Sequence, residues 1–396
     1  MRILTVSAFY EGHGGGIEIV AGSLARALAR RGHRSRWAAA AFDRPPDDRS
    51  IEAVPLTAFD PVERWAGLPM PIPGGNASRL LGAEVRAADA VIIHDALYMS
   101  SVAAARAAKK HGKPWMLVQH IGTIPFSNPL LRAAIASANR LVTRPLLASA
   151  PQAVFISDAV RAHFAGTKWQ RPPALMFNGV DRDTFQMATE GQRASLRNRL
   201  GLTSKRPQLL FVGRFVERKG LSILRAMAVA EPGSDFLLVG SGPIDPASWR
   251  LPNVRVLGRK SRTELAEVYQ SADALLLPSV GEGYPLVIQE ALACGLPVFC
   301  GQDSAAADPD ASAMLHAVDI DPADPAGTAA RLSAAIFRTQ LGPRLELADY
   351  ARKTYDWDAN AAWLEQCLQS VSTLRLSDAS PTRPFGSIRA PSLQQR

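Results

Sequence analysis

The chain has 396 residues, and its proportions of hydrophobic (47%) and charged (20%) residues are those of folded domains, not of disordered chains. The length predicts two domains of somewhat under about 200 residues each. Three cysteines exclude an extensive disulfide framework and favour a reducing, cytoplasmic setting. No apolar run reaches the roughly 18 residues that a membrane-spanning helix needs.

The net charge of +9 is concentrated in the first half of the chain. Residues 1–180 contain 21 Lys and Arg against 12 Asp and Glu, whereas residues 181–396 contain 24 of each group. Residues 96–157 contain no acidic residue at all. This distribution predicts an anionic partner for the first half of the chain.

The basic and apolar stretch at residues 129–147 is the clearest part of that surplus, with Arg132, Arg140 and Arg144 among apolar side chains. The pattern favours contact with an anionic membrane or with a lipid-diphosphate acceptor. An ordinary amphipathic helix over the first sheet is the alternative. Nucleic acid is not expected as a partner, because the chain has no recognition motif or interleaved aromatic residues.

The first half of the chain alternates predicted strands with predicted helices. Strands are predicted at residues 3–8, 36–41, 90–94, 115–120 and 153–157. A helix follows the first strand, because Val20, Leu24 and Leu28 recur at helical spacing. This alternation predicts a doubly wound parallel sheet with helices on both faces.

The second half repeats the alternation. Strands are predicted at residues 209–213, 236–240, 254–258, 274–278 and 297–300, with helices at residues 219–229, 263–271, 285–293, 328–338 and 358–372. The polar segment at residues 203–208 suggests the connection between domains, and the first boundary is placed near residue 180. The predicted division is residues 1–180, residues 181–355, a C-terminal helix at residues 356–376 that packs back on the first domain, and a disordered tail at residues 377–396.

A glycine-rich turn, GHGGG at residues 12–16, follows the first strand. It lacks the spacing of dinucleotide-binding turns, because position 19 is Ile, and a nicotinamide enzyme is therefore disfavoured. Gly15 and Gly16 still allow backbone amides to approach a phosphate or sugar. A plain tight turn remains the alternative.

Two histidines end predicted strands of the first half, His94 in VIIH and His120 in WMLVQH. The carboxyl ends of parallel strands are where ligands bind in such sheets. His120 is the stronger candidate, because the Ile-Gly-Thr loop that follows it suits the lining of a cleft. A buried structural histidine is the alternative for both.

The segment FVGRFVERKG at residues 211–220 places two cations, Arg214 and Lys219, after a strand of the second half. Lys219 and Gly220 are predicted to open the next helix. Two fixed cations beside a helix N-terminus suit a nucleotide diphosphate and stabilise it as a leaving group. Surface charges paired with Glu217 are the alternative.

The strongest signal is SVGEGYPLVIQEALACGLPV at residues 279–298. A glycine-rich turn precedes Pro285, which is placed to open a helix whose first amides attract an anion. Glu282 and Glu290 are both predicted to face the carboxyl edge of the sheet, where carboxylates suit hydroxyl-rich ligands. A solvated Glu and an ordinary helical Glu are the alternative.

Asp-x-Asp occurs four times in unrelated loops, beginning at Asp181, Asp308, Asp319 and Asp356. A hard cation needs several converging oxygens, and these scattered pairs indicate composition instead. The sequence therefore predicts no metal and no cofactor.

Together these segments resemble the retaining glycosyltransferases of family 4, over most of residues 1–372. The resemblance is carried by GGGIEIVAGSLARALARRGHRSRW, VFISDAVRAHF, FNGVDRDTF, FVGRFVERKG and EGYPLVIQEALACGLPV. It implies the GT-B architecture, an α/β fold of two Rossmann-like domains facing each other across a cleft. The first domain would then hold the acceptor and the second the nucleotide-sugar donor.

The resemblance also implies residue roles. Arg214 and Lys219 would hold the donor diphosphate, Glu290 the ribose hydroxyls, and Glu282 the hydroxyls of the transferred sugar. His120 would touch the donor sugar near the reaction centre, and Gly16, with Gly15 beside it, would approach the phosphates from the first domain. The segment that contains Arg259 would pass the nucleobase. Support for the sugar and phosphate would come from Gly283, Tyr284, Pro285 and Leu286. Tyr284 stands where the family usually has Phe, and Ser241 stands where an acidic residue is common.

The reaction implied is transfer of a hexosyl unit from a UDP- or GDP-sugar to an acceptor hydroxyl with retention at the anomeric carbon. The expected acceptor is lipid-linked or a growing cell-surface polysaccharide, at the cytoplasmic face of the membrane. A nucleotide-sugar 2-epimerase and a binding protein without turnover are the alternatives. The first needs proton-transfer residues that the motifs lack beyond His120, and the intact charged motifs argue against the second.

Overall fold

The computed structural model describes residues 1–66, 69–122, 129–202, 205–339 and 343–376. The chain forms two compact units, one of Met1–Asn178 with Trp357–Arg396 and one of Gly179–Asp356. The connection predicted at residues 203–208 is wrong, because that segment lies inside the second unit and leads into its first strand. The tail predicted at residues 377–396 lies outside the described residues.

The first unit is built on a seven-stranded parallel sheet. Its strands, with a separate two-stranded pair β4 and β5, are β1 (Arg2–Val6), β2 (Arg34–Ala40), β3 (Ile51–Leu56), β4 (Ala58–Phe59), β5 (Ile72–Pro73), β6 (Ala90–His94), β7 (Trp115–Gln119), β8 (Ala153–Phe155) and β9 (Ala174–Leu175). The strand order is β3-β2-β1-β6-β7-β8-β9. The central strands are continuous apolar runs because both of their faces are buried.

Seven helices precede residue 179 among the described residues. They are α1 (Gly16–Arg30), α2 (Pro61–Ala66), α3 (Ala77–Ala87), α4 (Met99–Lys110), α5 (Pro129–Ala138), α6 (Arg144–Ser149) and α7 (Asp158–His163). A π-helical turn, Asn139–Thr143, joins α5 to α6. The basic stretch at residues 129–147 is therefore not one regular helix.

The second unit has a six-stranded parallel sheet. Its strands are β10 (Gln208–Val212), β11 (Asp235–Val239), β12 (Val254–Gly258), β13 (Ala274–Leu277), β14 (Val298–Gly301) and β15 (Leu315–Val318), in the order β12-β11-β10-β13-β14-β15. Its helices are α8 (Glu190–Arg199), α9 (Leu221–Ala230), α10 (Arg262–Ser271), α11 (Leu286–Ala293), α12 (Gln302–Ala305), α13 (Pro325–Arg338) and α14 (Arg344–Thr354). Aromatic and aliphatic side chains of β10, β11 and α9 form the core on one face of this sheet.

The last helix, α15 (Trp357–Leu376), belongs to the first unit. It packs along α1, with ion pairs from Arg30 to Asp358 and from Arg31 to Glu365, each at 2.7 Å. The first unit is thus completed by the C-terminal end of the described chain.

Both sheets reverse their strand order once, between β1 and β6 in the first unit and between β10 and β13 in the second. In doubly wound folds the loops at such a reversal diverge at the carboxyl edge and leave a crevice for a ligand. The glycine-rich turn after β1, His94 at the end of β6, and the loops after β10 and β13 all lie at these two positions. None of the described helices is long and apolar enough to cross a membrane.

Candidate active site

The loops after β10 and β13 pack directly against each other in the second unit. Lys219 ends a short 3-10 turn, and Gly220, with φ +79°, separates it from α9. Gly220 is the N-cap of α9, as predicted, whereas Lys219 precedes the helix, whose first helical residue is Leu221. A Cβ on Gly220 would lie 2.3 Å from the carbonyl oxygen of Pro278, so the two loops can approach this closely only with glycine here.

Lys219 and Glu282 join the two loops by an ion pair. The distance from Lys219 Nζ to Glu282 Oε1 is 2.7 Å, and both side chains are mostly buried, at 14% and 15% exposed. The amide of Val280 also donates to the carbonyl of Arg218 at 3.2 Å. The alternative in which Lys219 pairs with Glu217 is thus excluded.

Arg214 follows β10 as an exposed side chain at the start of the same turn. The backbone around it is fixed, because the amide of Phe215 donates to the carbonyl of Ser241 at 2.9 Å. The turn therefore presents two exposed cations, Arg214 and Arg218, and one cation already held by a carboxylate, Lys219.

The loop after β13 ends at the N-terminus of α11. Pro285 is the N-cap residue, with φ −61° and ψ 130°, and Leu286 is the first helical residue. The first amides of such a helix have no partner within the helix and carry a partial positive charge. Gly283 and Tyr284 connect this N-terminus to Glu282, and Tyr284 is buried.

Glu290 lies one turn into α11 and contacts α10. The hydroxyl of Tyr269 donates to Glu290 Oε2 at 3.0 Å. Burial raises the pKa of the Glu290 carboxyl, and the hydrogen bond from Tyr269 and the charge of Arg262 oppose that rise. Sequence reasoning missed Tyr269, which is completely buried and stands seven residues into α10 without any motif.

Arg259, predicted beside the nucleobase, is exposed just after β12. Its Nε donates to the hydroxyl oxygen of Ser241 at 3.0 Å. Ser241 follows β11, so this bond ties together the carboxyl ends of two neighbouring strands.

In the first unit, Gly15 is the N-cap of α1 and Gly16 is its first residue. A Cβ on Gly15 would lie 2.1 Å from Glu18 Oε2, whereas a Cβ on Gly16 would meet open space. Glu18 is therefore folded back over the N-terminus of its own helix. Burial raises its pKa to about 7, and sequence reasoning did not single it out.

The two histidines predicted at strand ends are in contact. His94 Nδ1 and His120 Nε2 are 3.0 Å apart, and both rings are buried. Burial lowers the pKa of His94 to about 3, and burial together with the charge of His94 holds that of His120 well below its usual value. Both rings are therefore neutral near pH 7, so at most one of them donates in this contact.

Asp95, directly after His94, has φ +62°, which is uncommon for a residue other than glycine. Its carboxylate accepts from the side-chain amide of Gln119 at 3.1 Å and from the amide of Ile121 at 3.2 Å. Burial raises its pKa to about 6. Asp95 thereby holds the start of the loop after His120, a role that no sequence pattern indicated.

Among the described residues, no group of three or more His, Cys, Asp or Glu side chains is placed to hold a metal ion. In the Asp-x-Asp pattern that begins at Asp308, the contacts of Asp308 differ from those of Asp310. Asp308 is completely buried and accepts hydrogen bonds from two tyrosines.

Sequence models of two glycosyltransferase families match the chain. The model described as Glycosyltransferase Family 4 matches residues 14–184, and the model described as Glycosyl transferases group 1 matches residues 206–336. The chain belongs to glycosyltransferase family 4. The predicted family is therefore confirmed, and the two matches fall on the two Rossmann-like sheets.

Solved structures show the same fold. Sucrose-phosphate synthase from Thermosynechococcus elongatus superposes with a TM-score of 0.66 at 20% identity, covering 94% of this chain and 100% of that one. Anabaena HepE, solved in complex with UDP-glucose, gives a TM-score of 0.65 at 20% identity, covering 95% and 100%. The predicted GT-B type of α/β fold is confirmed by these neighbours.

A curated relative is more similar over a shorter segment. The GDP-mannose-dependent monoacylated alpha-(1-6)-phosphatidylinositol monomannoside mannosyltransferase of Corynebacterium glutamicum is 31% identical over 163 residues. The match covers 36% of this chain and 43% of that protein, so it spans less than half the length of the relative.

Proposed function

We propose that this family 4 glycosyltransferase moves a hexosyl unit from a UDP- or GDP-sugar to an acceptor hydroxyl with retention at the anomeric carbon. The observation that carries the proposal is the arrangement of Lys219, Glu282 and the N-terminus of α11 at the reversal of the second sheet, with Arg214 exposed on the same turn. The match to the family model and the HepE complex with UDP-glucose support a nucleotide-sugar donor.

The diphosphate of the donor is assigned to Arg214, Lys219 and the first amides of α11. An exposed guanidinium and a helix N-terminus both favour a dianion. Glu282 holds the Lys219 ammonium at 2.7 Å, so the cation needs little reorganisation when phosphate arrives. Glu282 is then free on its second oxygen to accept from hydroxyls of the transferred sugar.

Retention follows when the acceptor attacks on the face from which the diphosphate leaves. The bond between the anomeric carbon and the diphosphate oxygen breaks, the bond from the acceptor oxygen to that carbon forms, and the acceptor proton passes to the leaving diphosphate. Arg214, Lys219 and the dipole of α11 stabilise the charge that develops on the diphosphate. No protein nucleophile is assigned.

The remaining predicted residues fit binding roles. Glu290, held by Tyr269, accepts from the ribose hydroxyls, and Arg259 contacts the nucleobase. Gly283, Tyr284, Pro285 and Leu286 carry the sugar and phosphate contacts of the loop after β13. In the first unit, Gly15 and Gly16 are proposed to contact the phosphates, and His120 the transferred sugar.

We propose an acceptor that is lipid-linked or a growing cell-surface polysaccharide, and peripheral contact with an anionic membrane. The exposed basic residues of the acid-free segment support an anionic partner. Arg144 does not belong to this surface. Its guanidinium donates to the carbonyls of His163 and Ala165 and packs over Phe164, so it closes the end of α7.

The cytoplasmic side of the membrane is the proposed location. Cys294 and Cys300 are buried free thiols, and Cys367 is a third free thiol. Burial raises the pKa of Cys294 and Cys300, which keeps them as unreactive thiols. Free cysteines without disulfide bonds fit a reducing compartment.

The proposal is tested by measuring the binding of UDP- and GDP-sugars and the slow release of nucleoside diphosphate. We expect Arg214→Ala to lower release by about 10²-fold, because one donor to the leaving oxyanion is lost. Arg218→Ala is the matched control, since Arg218 is an exposed cation on the same turn. Glu290→Ala is expected to weaken donor binding.

The alternatives give different results. A 2-epimerase would convert the donor into its epimer without releasing nucleoside diphosphate. A binding protein without turnover would bind a donor and neither release nor convert it. Loss of activity in Arg218→Ala equal to that in Arg214→Ala would show that the diphosphate site is misassigned.

A further inference from the structure

Tyr284 is the one buried residue in the loop that carries Glu282. Between Ser279 and Ile288, every other residue is partly exposed. The loop is rich in glycine, and Gly281 has φ +71°, so its backbone has little stiffness of its own. The Tyr284 side chain therefore anchors the segment that joins Glu282 to the N-cap Pro285.

The Tyr284 hydroxyl enters a buried network of three tyrosines and one aspartate. It lies 2.7 Å from the hydroxyl of Tyr355, and Tyr355 donates to Asp308 Oδ2 at 2.8 Å. Tyr350 donates to the same Oδ2, also at 2.8 Å. The rings of Tyr284 and Tyr355 meet edge to face with centroids 6.1 Å apart.

The direction of this network follows from counting donors. Asp308 also accepts from the amides of Asp310 and Ala311 on Oδ1, so all four of these contacts use it as an acceptor, as an ionised carboxylate requires. Tyr355 has one hydroxyl proton and gives it to Asp308. Its oxygen can then only accept, and Tyr284 is the donor between the two tyrosines.

We propose that Tyr284, Tyr355 and Asp308 form a positioning relay that fixes the donor loop, so that Glu282 and the first amides of α11 are preorganised for the nucleotide diphosphate. The inference rests on the proposed function. The hydrogen bonds fix the position of the Tyr284 side chain and thereby the backbone of the loop. The relay therefore requires no direct contact between these three side chains and the donor. Small displacements of such groups have large costs, since ~1 Å of misplacement costs about 10²-fold in rate.

Tyr350 provides a matched control inside the same network. It is a tyrosine that donates to the same carboxylate oxygen at the same distance as Tyr355, but it makes no hydroxyl bond to Tyr284 among the contacts described. Removing its hydroxyl takes one donor from Asp308 and leaves the bond between Tyr355 and Tyr284 in place. A merely structural network would respond alike to both changes.

The experiment measures the dissociation constants of UDP and GDP for wild type, Tyr284→Phe, Tyr355→Phe, Tyr350→Phe and the double variant Tyr284→Phe/Tyr355→Phe. We expect Tyr284→Phe and Tyr355→Phe each to raise the dissociation constant of the nucleotide that wild type binds by about 10-fold, because the loop is less preorganised. The double variant should be no weaker than either single one, because both act through one bond. Tyr350→Phe should bind as wild type does, even where it melts at a lower temperature.

Hydrogen exchange of the loop amides gives a second readout at a fixed temperature. Faster exchange over residues 279–288 in Tyr284→Phe, but not in Tyr350→Phe, supports the relay. Unchanged affinity and exchange in Tyr284→Phe, or equal losses in Tyr350→Phe, overturn it while leaving the proposed function intact. Wild type that binds neither nucleotide overturns the proposed function and this inference with it.

Discussion

Glu18 is a buried carboxyl group that contributes to the pH dependence of the stability of the first unit. Its carboxyl is almost completely buried, and burial raises its pKa from 4.5 to about 7. Between pH 4.5 and about 7, the Glu18 carboxyl is therefore protonated in the folded chain and ionised in the unfolded chain. The stability that this proton provides is present at low pH and is lost as the pH rises through about 7.

Glu18→Gln is expected to remove this dependence, because the amide has nearly the same shape and no charge. Measured by urea denaturation, the free energy of unfolding of the variant should gain about 2 to 3 kcal/mol relative to wild type between pH 5 and pH 8. Glu346→Gln, at an exposed position on α14, is the control and should show no such gain. A difference between Glu18→Gln and wild type that is the same at both pH values would contradict the prediction.

Residues with a motif were easier to predict than residues without one. Lys219 and Glu282 were identified from their spacing to strand ends and glycines, and the structure brings them together at 2.7 Å. Tyr269 and Asp95 were missed, because neither lies in a glycine-rich motif like those of Lys219 and Glu282, and their contacts with residues 21 and 24 to 26 positions away follow only from the fold. Contacts set by packing across elements leave no local pattern in the sequence.

The close approach of the loops after β10 and β13 depends on Gly220. Gly220→Ala would force a side chain into a left-handed φ and place its Cβ 2.3 Å from the oxygen of Pro278. We expect a loss of about 3 kcal/mol in unfolding free energy, from roughly 1 to 2 kcal/mol of backbone strain and a similar cost of displaced backbone. Nucleotide binding should weaken as well, because Lys219 and Glu282 are pushed apart.

Gly32→Ala is the control that separates the cost of backbone strain from the cost of the steric clash with Pro278. Gly32 has a similar φ of +83°, but a Cβ there would meet nothing within 4 Å. This control should lose only about 1 kcal/mol in chemical denaturation and keep full nucleotide affinity. Equal losses of stability and affinity in the two variants would show that the contact with Pro278 is unimportant.

The alternation of strands and helices was predictable, but of the four edge strands of the two large sheets only β12 was predicted. The central strands are continuous apolar runs, and their predicted positions agree with the structure within two residues. The strands β3, β9 and β15 were missed. β3 contains Glu52 and Pro55 and alternates buried with exposed residues at the edge of the sheet, and β9 has only two residues. Edge strands bury one side only and therefore lack the apolar run that identifies a central strand.

The surplus of positive charge lies in residues 1–180, and the structure shows which of these cations are exposed. Arg106, Lys109 and Arg140 are exposed in the first unit. Met99 and Leu141, which are 50% and 73% exposed, line one groove with Arg106 and Lys109. Exposed apolar side chains beside cations suit the interface of an anionic bilayer. Arg144, by contrast, is occupied by the end of α7.

Membrane contact is therefore tested on this surface, and without Arg144. Arg106→Glu/Arg140→Glu should weaken binding to anionic phosphatidylglycerol vesicles, measured by co-sedimentation at low salt, by at least about 10-fold. The reason is that each basic residue near the membrane surface contributes about 1 kcal/mol. The control Arg225→Glu/Arg338→Glu makes the same change of charge at exposed positions on α9 and α13 of the second unit. Equal weakening in both pairs would mean that net charge alone governs binding. Contact through the first unit requires that only the first pair weakens vesicle binding. It also requires that the difference from wild type disappears at high salt, because salt screens the attraction between charged surfaces.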